Sequence, residues 1–122
     1  MSNDVYLVSA ARTPVGSFQG QLSKFTAPEL GAHAIAAAIK ASAVNPGDID
    51  EVVFGNVVSA GLKQAPARQA MRTAGLPDAV GATTVNKVCG SGMKCAMLAT
   101  DLIRAGSANR VIAGGMESMS NA

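Results

Sequence analysis

The feature that most constrains this chain is an alternation. Short apolar runs with β-branched residues take turns with longer small-residue stretches that open on helix-start signals. Val5-Tyr6-Leu7-Val8-Ser9-Ala10 reads as a buried strand, and Arg12-Thr13-Pro14-Val15-Gly16 breaks it. A polar loop follows to about Phe25. Thr26-Ala27-Pro28-Glu29 opens a helix, with Thr26 as N-cap and Pro28 in the first turn; it runs to Lys40 and stops before the turn Asn45-Pro46-Gly47. Residues 49–54 give a second strand, which a helical turn can precede. Ala65-Pro66-Ala67-Arg68 starts a second helix that Gly75 and Pro77 close. Thr83-Thr84-Val85-Asn86 is a third strand. A third helix runs from about Cys89 to Ala105, with Gly106 at the C′ position. Residues 110–113 form a fourth strand. The order β-α-β-α-β-α-β predicts an α/β fold with a mainly parallel sheet and right-handed crossovers.

Such a sheet needs a core, and the composition supplies one: 48% of the 122 residues are hydrophobic and 15% charged. Only 3% are aromatic, so close packing of alanine and glycine replaces bulky anchors. The net charge of +2 is scattered, with no basic stripe and few rings for base stacking, which argues against nucleic acid as a partner. Met1-Ser2-Asn3-Asp4 carries no basic region and leads into only a few apolar residues. No secretory signal or membrane span is expected, and a cytoplasmic location follows as the default. Cys89 and Cys95 on one helix stand about 9 Å apart, too far for a disulfide, and make a poor zinc site without supporting histidines. Both read as free thiols.

Ligands of open α/β sheets bind beyond the carboxyl ends of the strands. Cys89 falls there, between the third strand and the third helix, where helix N–H groups favour a thiolate. Gly90 and Gly92 clear space beside the sulfur, and the Cys89 N–H is a candidate oxyanion donor. On placement alone an inert buried thiol is the commoner outcome for a cysteine. Cys95, beside Ala96 and Leu98, reads as core. His33, the single histidine, reads as a surface or packing residue of its helix. Met93, Met97, Met116 and Met119 read as core fillers. Residues 14–20 read as a surface loop. Gly114-Gly115 lacks the residues of a phosphate loop and reads as a close backbone approach near Cys89.

Three blocks then carry a resemblance. Residues 5–14 with Arg12-Thr13-Pro14, the segment Asn86-Lys87-Val88-Cys89-Gly90-Ser91-Gly92-Met93-Lys94, and Gly114-Gly115-Met116-Glu117-Ser118-Met119-Ser120 resemble the thiolase family, in its acetyl-CoA acetyltransferase branch. Cys95 stands where that pattern has alanine. The resemblance implies that Cys89 is a nucleophile that accepts an acyl group from an acyl-CoA and passes it on in a reversible condensation or thiolysis of a 3-ketoacyl-CoA. It implies coenzyme A thioesters as substrates, and no separate cofactor or metal. It also implies an αβαβα layered fold, of which residues 1–122 would be an incomplete N-terminal domain. The final antiparallel strand of that half would be missing, as would the activating histidine and a second, acid/base cysteine. The remaining C-terminal part, in a homodimer or homotetramer with Thr83-Thr84-Val85-Asn86 at the dimer contact, would be the partner. Two alternatives stand beside this: a ketoacyl synthase-like condensing enzyme, and a non-catalytic lipid-binding or scaffold protein of the same fold.

Overall fold

The computed structural model describes residues 4–122. Met1-Ser2-Asn3, read above for targeting signals, lie outside the described residues. Three α-helices and three strands follow one another: α1 (Ala27–Ser42), β1 (Glu51–Gly55), α2 (Pro66–Thr73), β2 (Gly81–Val85), α3 (Ser91–Arg104) and β3 (Val111–Gly115). Short 3₁₀ turns precede β1 (Pro46–Asp48) and follow β3 (Met119–Asn121).

The helix ends form for the reasons the sequence supplies. Thr26 Oγ1 accepts the Glu29 N–H at 3.3 Å, and Pro28 occupies the first turn, where its missing N–H costs nothing. At the end of α3, Gly106 takes φ +80°. Its N–H reaches Ile103 O at 3.1 Å while Ser107 N–H reaches Leu102 O at 2.9 Å, a Schellman closure. Asn45 accepts the Gly47 N–H at 3.1 Å and sets the turn before β1.

The sheet is parallel, in the order β2-β1-β3. Moving from β1 to β2 and then back past β1 to β3 reverses direction in the sheet. Right-handed crossovers therefore place α2 and α3 on opposite faces. On one face Val52 and Phe54 pack with Ile35 of α1, Ala67, Ala70 and Met71 of α2, and Met116. On the other, Gly55 meets the start of α3. β1 is central and buried from Val52 to Gly55, which explains its unbroken apolar run. Ile35, Met71, Val52 and Val53 are each under 2% or about 2% exposed, and each contributes about 1.5–3 kcal/mol of burial.

The expected first strand does not form. Residues 4–16 have no regular structure, and Leu7 is 97% exposed. The apolar run has the composition of a buried strand, but a strand also needs a neighbour's hydrogen bonds. The outer edge of β3 lies across a groove of about 1200 Å³ that residues 5–18 line on one side and residues 110–115 on the other. Ser9 Oγ, donating to Ala38 O at 2.7 Å, tethers the segment to α1 instead. The order is thus α-β-α-β-α-β, within the α/β class expected. Met116 is buried as expected of a core filler, but Met93, Met97 and Met119 are exposed by 53% or more. Met97 and Met119 line the groove beside β3, which the described residues leave unfilled.

Candidate active site

The five residues between β2 and α3 form a tight turn that displays Cys89. Asn86 Oδ1 accepts the Val88 N–H at 3.0 Å. Val88 then takes φ +50°, a left-handed conformation. A β-branched side chain is disfavoured there, at a cost of order 1–3 kcal/mol, so surrounding contacts have to hold it. Ser91 supplies two of them: its Oγ accepts the Lys87 N–H at 2.9 Å and donates to Val88 O at 2.6 Å. Backbone bonds from Gly90 N–H to Lys87 O (3.0 Å) and Ser91 N–H to Val88 O (3.2 Å) complete the turn. Ser91 is 6% exposed, whereas Val88 and Cys89 face solvent. The buried side of this turn is the anchor, and the cysteine is what it presents.

The helix that follows sits directly on the strand ends. A Cβ added at Gly55 would lie 2.6 Å from Ser91 Cβ, and one at Gly115 would lie 3.4 Å from Gly92 Cα. The ends of β1 and β3 can approach the first turn of α3 this closely because no side chain intervenes. The close backbone approach expected at Gly114-Gly115 is thus present, against Gly92. Phe54 fills the space above Gly114 on the other face.

A second bracket joins the same strand ends. Asn56 N–H donates to Val85 O at 3.0 Å, and its Nδ2 donates to Met116 O at 3.2 Å and Glu117 Oε1 at 2.9 Å. The Glu117 carboxylate also accepts the N–H groups of Val57 (3.0 Å to Oε2) and Val58 (2.9 Å to Oε1). Asn56 is 2% exposed, and its Oδ1 finds no partner among the described residues. Neither this bracket nor the role of Ser91 was read from the sequence. The pattern Asn86-x-Val88 carries an Asx-turn signal, but the contacts between Asn56 and Glu117 span 61 positions.

The other residues singled out fall elsewhere. Cys95 is fully buried in α3, and desolvation raises its thiol pKa, only partly offset by a hydrogen bond with the Gly114 backbone. His33 is exposed on α1 and meets the Phe25 ring edge-on at 5.8 Å. Arg12, Thr13 and Pro14 line a hollow with His33 and Phe25 rather than joining the Cys89 turn. Both cysteines are free thiols. Among the described residues no cluster of His, Cys, Asp and Glu could hold a metal ion, and no helix is long and apolar enough to cross a membrane.

Fold and site together define an α/β unit that displays one thiol where the strands of a parallel sheet converge on a helix start. Residues 5–122 match the model of the thiolase N-terminal domain, and the chain belongs to the thiolase family. It is 58% identical over 118 residues to acetyl-CoA acetyltransferase 2 of Arabidopsis thaliana, a match covering 97% of this chain and 29% of that protein. It is 56% identical over 119 residues to an acetyl-CoA acetyltransferase of Cupriavidus necator, covering 98% and 30%. Among solved structures, the Acat5 thiolase of Ascaris suum in complex with coenzyme A superposes with a TM-score of 0.94 at 42% identity, covering 96% of this chain and 31% of that one. The chain is thus homologous to acetyl-CoA acetyltransferases and spans about three-tenths of their length.

Proposed function

We propose that this chain supplies the nucleophile of an acetyl-CoA C-acetyltransferase, with Cys89 as the catalytic residue. The observation that carries the reading is an exposed thiol on a constrained turn at the strand ends, in a chain 52–58% identical to enzymes of that name. Cys89 Sγ attacks the thioester carbonyl of an acyl-CoA. The bond from carbonyl carbon to coenzyme A sulfur breaks, coenzyme A leaves as its thiolate, and the acyl group stays on Cys89. The enolate of a second acetyl-CoA then attacks the acyl-cysteine and releases the Cys89 thiolate, forming a 3-ketoacyl-CoA. Thiolysis is the same path reversed. The Cys89 N–H contributes one donor to the oxyanion formed in these steps.

The acid and base for these proton transfers come from the C-terminal part, and residues 1–122 act as an incomplete N-terminal domain. In this reading the groove between residues 5–18 and β3 receives an antiparallel strand from that part, which lets residues 5–10 pair as the sequence suggests. An αβαβα layered fold, a homodimer or homotetramer, and a cytoplasmic location complete the reading. A homologue in Gibberella zeae is named cytosolic.

The test uses the completed enzyme: these 122 residues joined to the C-terminal part of the Cupriavidus necator relative. Incubated with acetyl-CoA, it gains one acetyl group, which peptide mass spectrometry locates on Cys89; Cys89→Ser abolishes condensation. Iodoacetamide modifies Cys89 and spares Cys95, and acetyl-CoA protects Cys89. The 122-residue polypeptide alone shows no thiolysis. Acetylation elsewhere, or full activity in Cys89→Ser, sinks the reading. Loading from an acyl-carrier protein but not from acyl-CoA would point to a ketoacyl synthase instead.

A further inference from the structure

We infer that Ser91 is a positioning residue for Cys89, acting through Val88. The inference rests on the acyl-transfer reading above and adds to it a residue that touches neither the substrate nor the sulfur. Val88 is a β-branched residue held at φ +50°, directly before the cysteine. Its side chain is 65% exposed, so no packing among the described residues holds it there. What holds it is polar. Ser91 Oγ closes on the strained residue and the one before it at once, donating to Val88 O and accepting the Lys87 N–H. Asn86 Oδ1 takes the Val88 N–H from the other side.

Ser91 is itself immobilised. It is buried, it begins α3, and its Cβ lies where a side chain on Gly55 of the central strand would have to go. The buried central strand therefore sets the Ser91 hydroxyl. The hydroxyl sets the Lys87–Val88 backbone, and that backbone sets where Cys89 points. Without the hydroxyl, only the Asn86 side chain and the backbone bonds of the turn oppose valine's preference for negative φ, and Val88 leaves the left-handed region. Cys89 would remain chemically intact but would point elsewhere.

This separates Ser91 from a residue that only stabilises the fold. In the completed enzyme, Ser91→Ala slows acetylation of Cys89 by acetyl-CoA about 10-fold or more, since acyl transfer depends on aim. Alkylation of the same thiol by iodoacetamide falls much less than acetylation does, since a small reagent depends less on aim than acyl transfer does. Adding Val88→Gly to Ser91→Ala recovers part of the loss, because glycine enters the left-handed region without the penalty. A crystal structure of the Ser91→Ala protein shows Val88 at negative φ.

Acetylation of Ser91→Ala at the parent rate overturns the inference. So does Val88 remaining at positive φ in that variant, or a double variant no faster than Ser91→Ala. If the parent itself takes no acetyl group from acetyl-CoA, the acyl-transfer reading fails. The φ of Val88 in the Ser91→Ala crystal then still decides whether Ser91 holds the turn.

Discussion

Gly55→Ala should damage both stability and acyl transfer, because the added methyl meets backbone and not a flexible side chain. At that position a Cβ would lie 2.6 Å from Ser91 Cβ, 3.0 Å from the Ser91 carbonyl carbon and 3.3 Å from Gly92 N. Carbon atoms in contact rest at about 3.5–4.0 Å, so the start of α3 has to retreat by about 1 Å. Overpacking of this kind costs about 1–3 kcal/mol. The retreat carries Ser91 with it, and a shift of about 1 Å at a reacting group costs on the order of 100-fold in rate. Gly31→Ala is the matched control. There the nearest atom, also at 2.6 Å, is Met116 Sδ, the end of a flexible thioether, and Ala70 Cβ is 3.4 Å away. Replacing glycine by alanine inside α1 also returns about 0.8–1.0 kcal/mol of helix propensity. In the completed enzyme, urea unfolding should show Gly55→Ala at least about 1 kcal/mol less stable than Gly31→Ala. Pre-steady-state acetylation should fall in the first and not in the second. Equal stability of the two variants, or a parent-like acetylation rate in Gly55→Ala, would refute the claim that β1 props the Cys89 turn through Ser91.

Two further expectations concern the ends of the sheet. Glu117→Gln turns an acceptor-only carboxylate into a group whose NH₂ faces a backbone N–H at Val57 or Val58; a loss of about 1–3 kcal/mol is expected, read by urea unfolding, and a neutral outcome would show that the bracket does not bind the strand ends together. At the opposite end of the sheet, Asp50 accepts the N–H groups of Asn109 (2.7 Å) and Arg110 (3.0 Å), and these bonds hold its pKa below the ordinary carboxylate value of about 3.9. Its contribution is therefore fully present above about pH 4 and is lost as pH falls through the lower, folded-state value. Asp50→Asn should flatten the acid limb of a stability-versus-pH curve, and an unchanged limb below pH 4 would remove Asp50 from that account.

What could be read directly was whatever depends on neighbours in sequence. Thr26, Pro28 and Gly106 marked helix ends because capping uses residues within one turn, and all three cap as read. Residues 49–54, 83–86 and 110–113 marked strands to within a few positions; burial on both faces writes the continuous apolar run of β1, whereas β2 shows only β-branched residues, with Thr83 and Thr84 exposed. Residues 5–10 carry the same signature and failed, since strand formation needs a partner that composition does not reveal. Cys95 was correctly read as core from its apolar helix neighbours, whereas the same reasoning misplaced Met93 and Met97, which turn toward the face of α3 left open.

By itself, then, the sequence determined the α/β class, the helix boundaries and the position of Cys89 between a strand and a helix. These follow from local periodicity, capping and turn chemistry. Tertiary structure alone decided that a buried Ser91 links the central strand to the cysteine turn, and that Asn56 and Glu117 tie the strand ends together. Those features depend on which strands become neighbours and how closely glycine lets backbones approach. No property of residues adjacent in sequence encodes that.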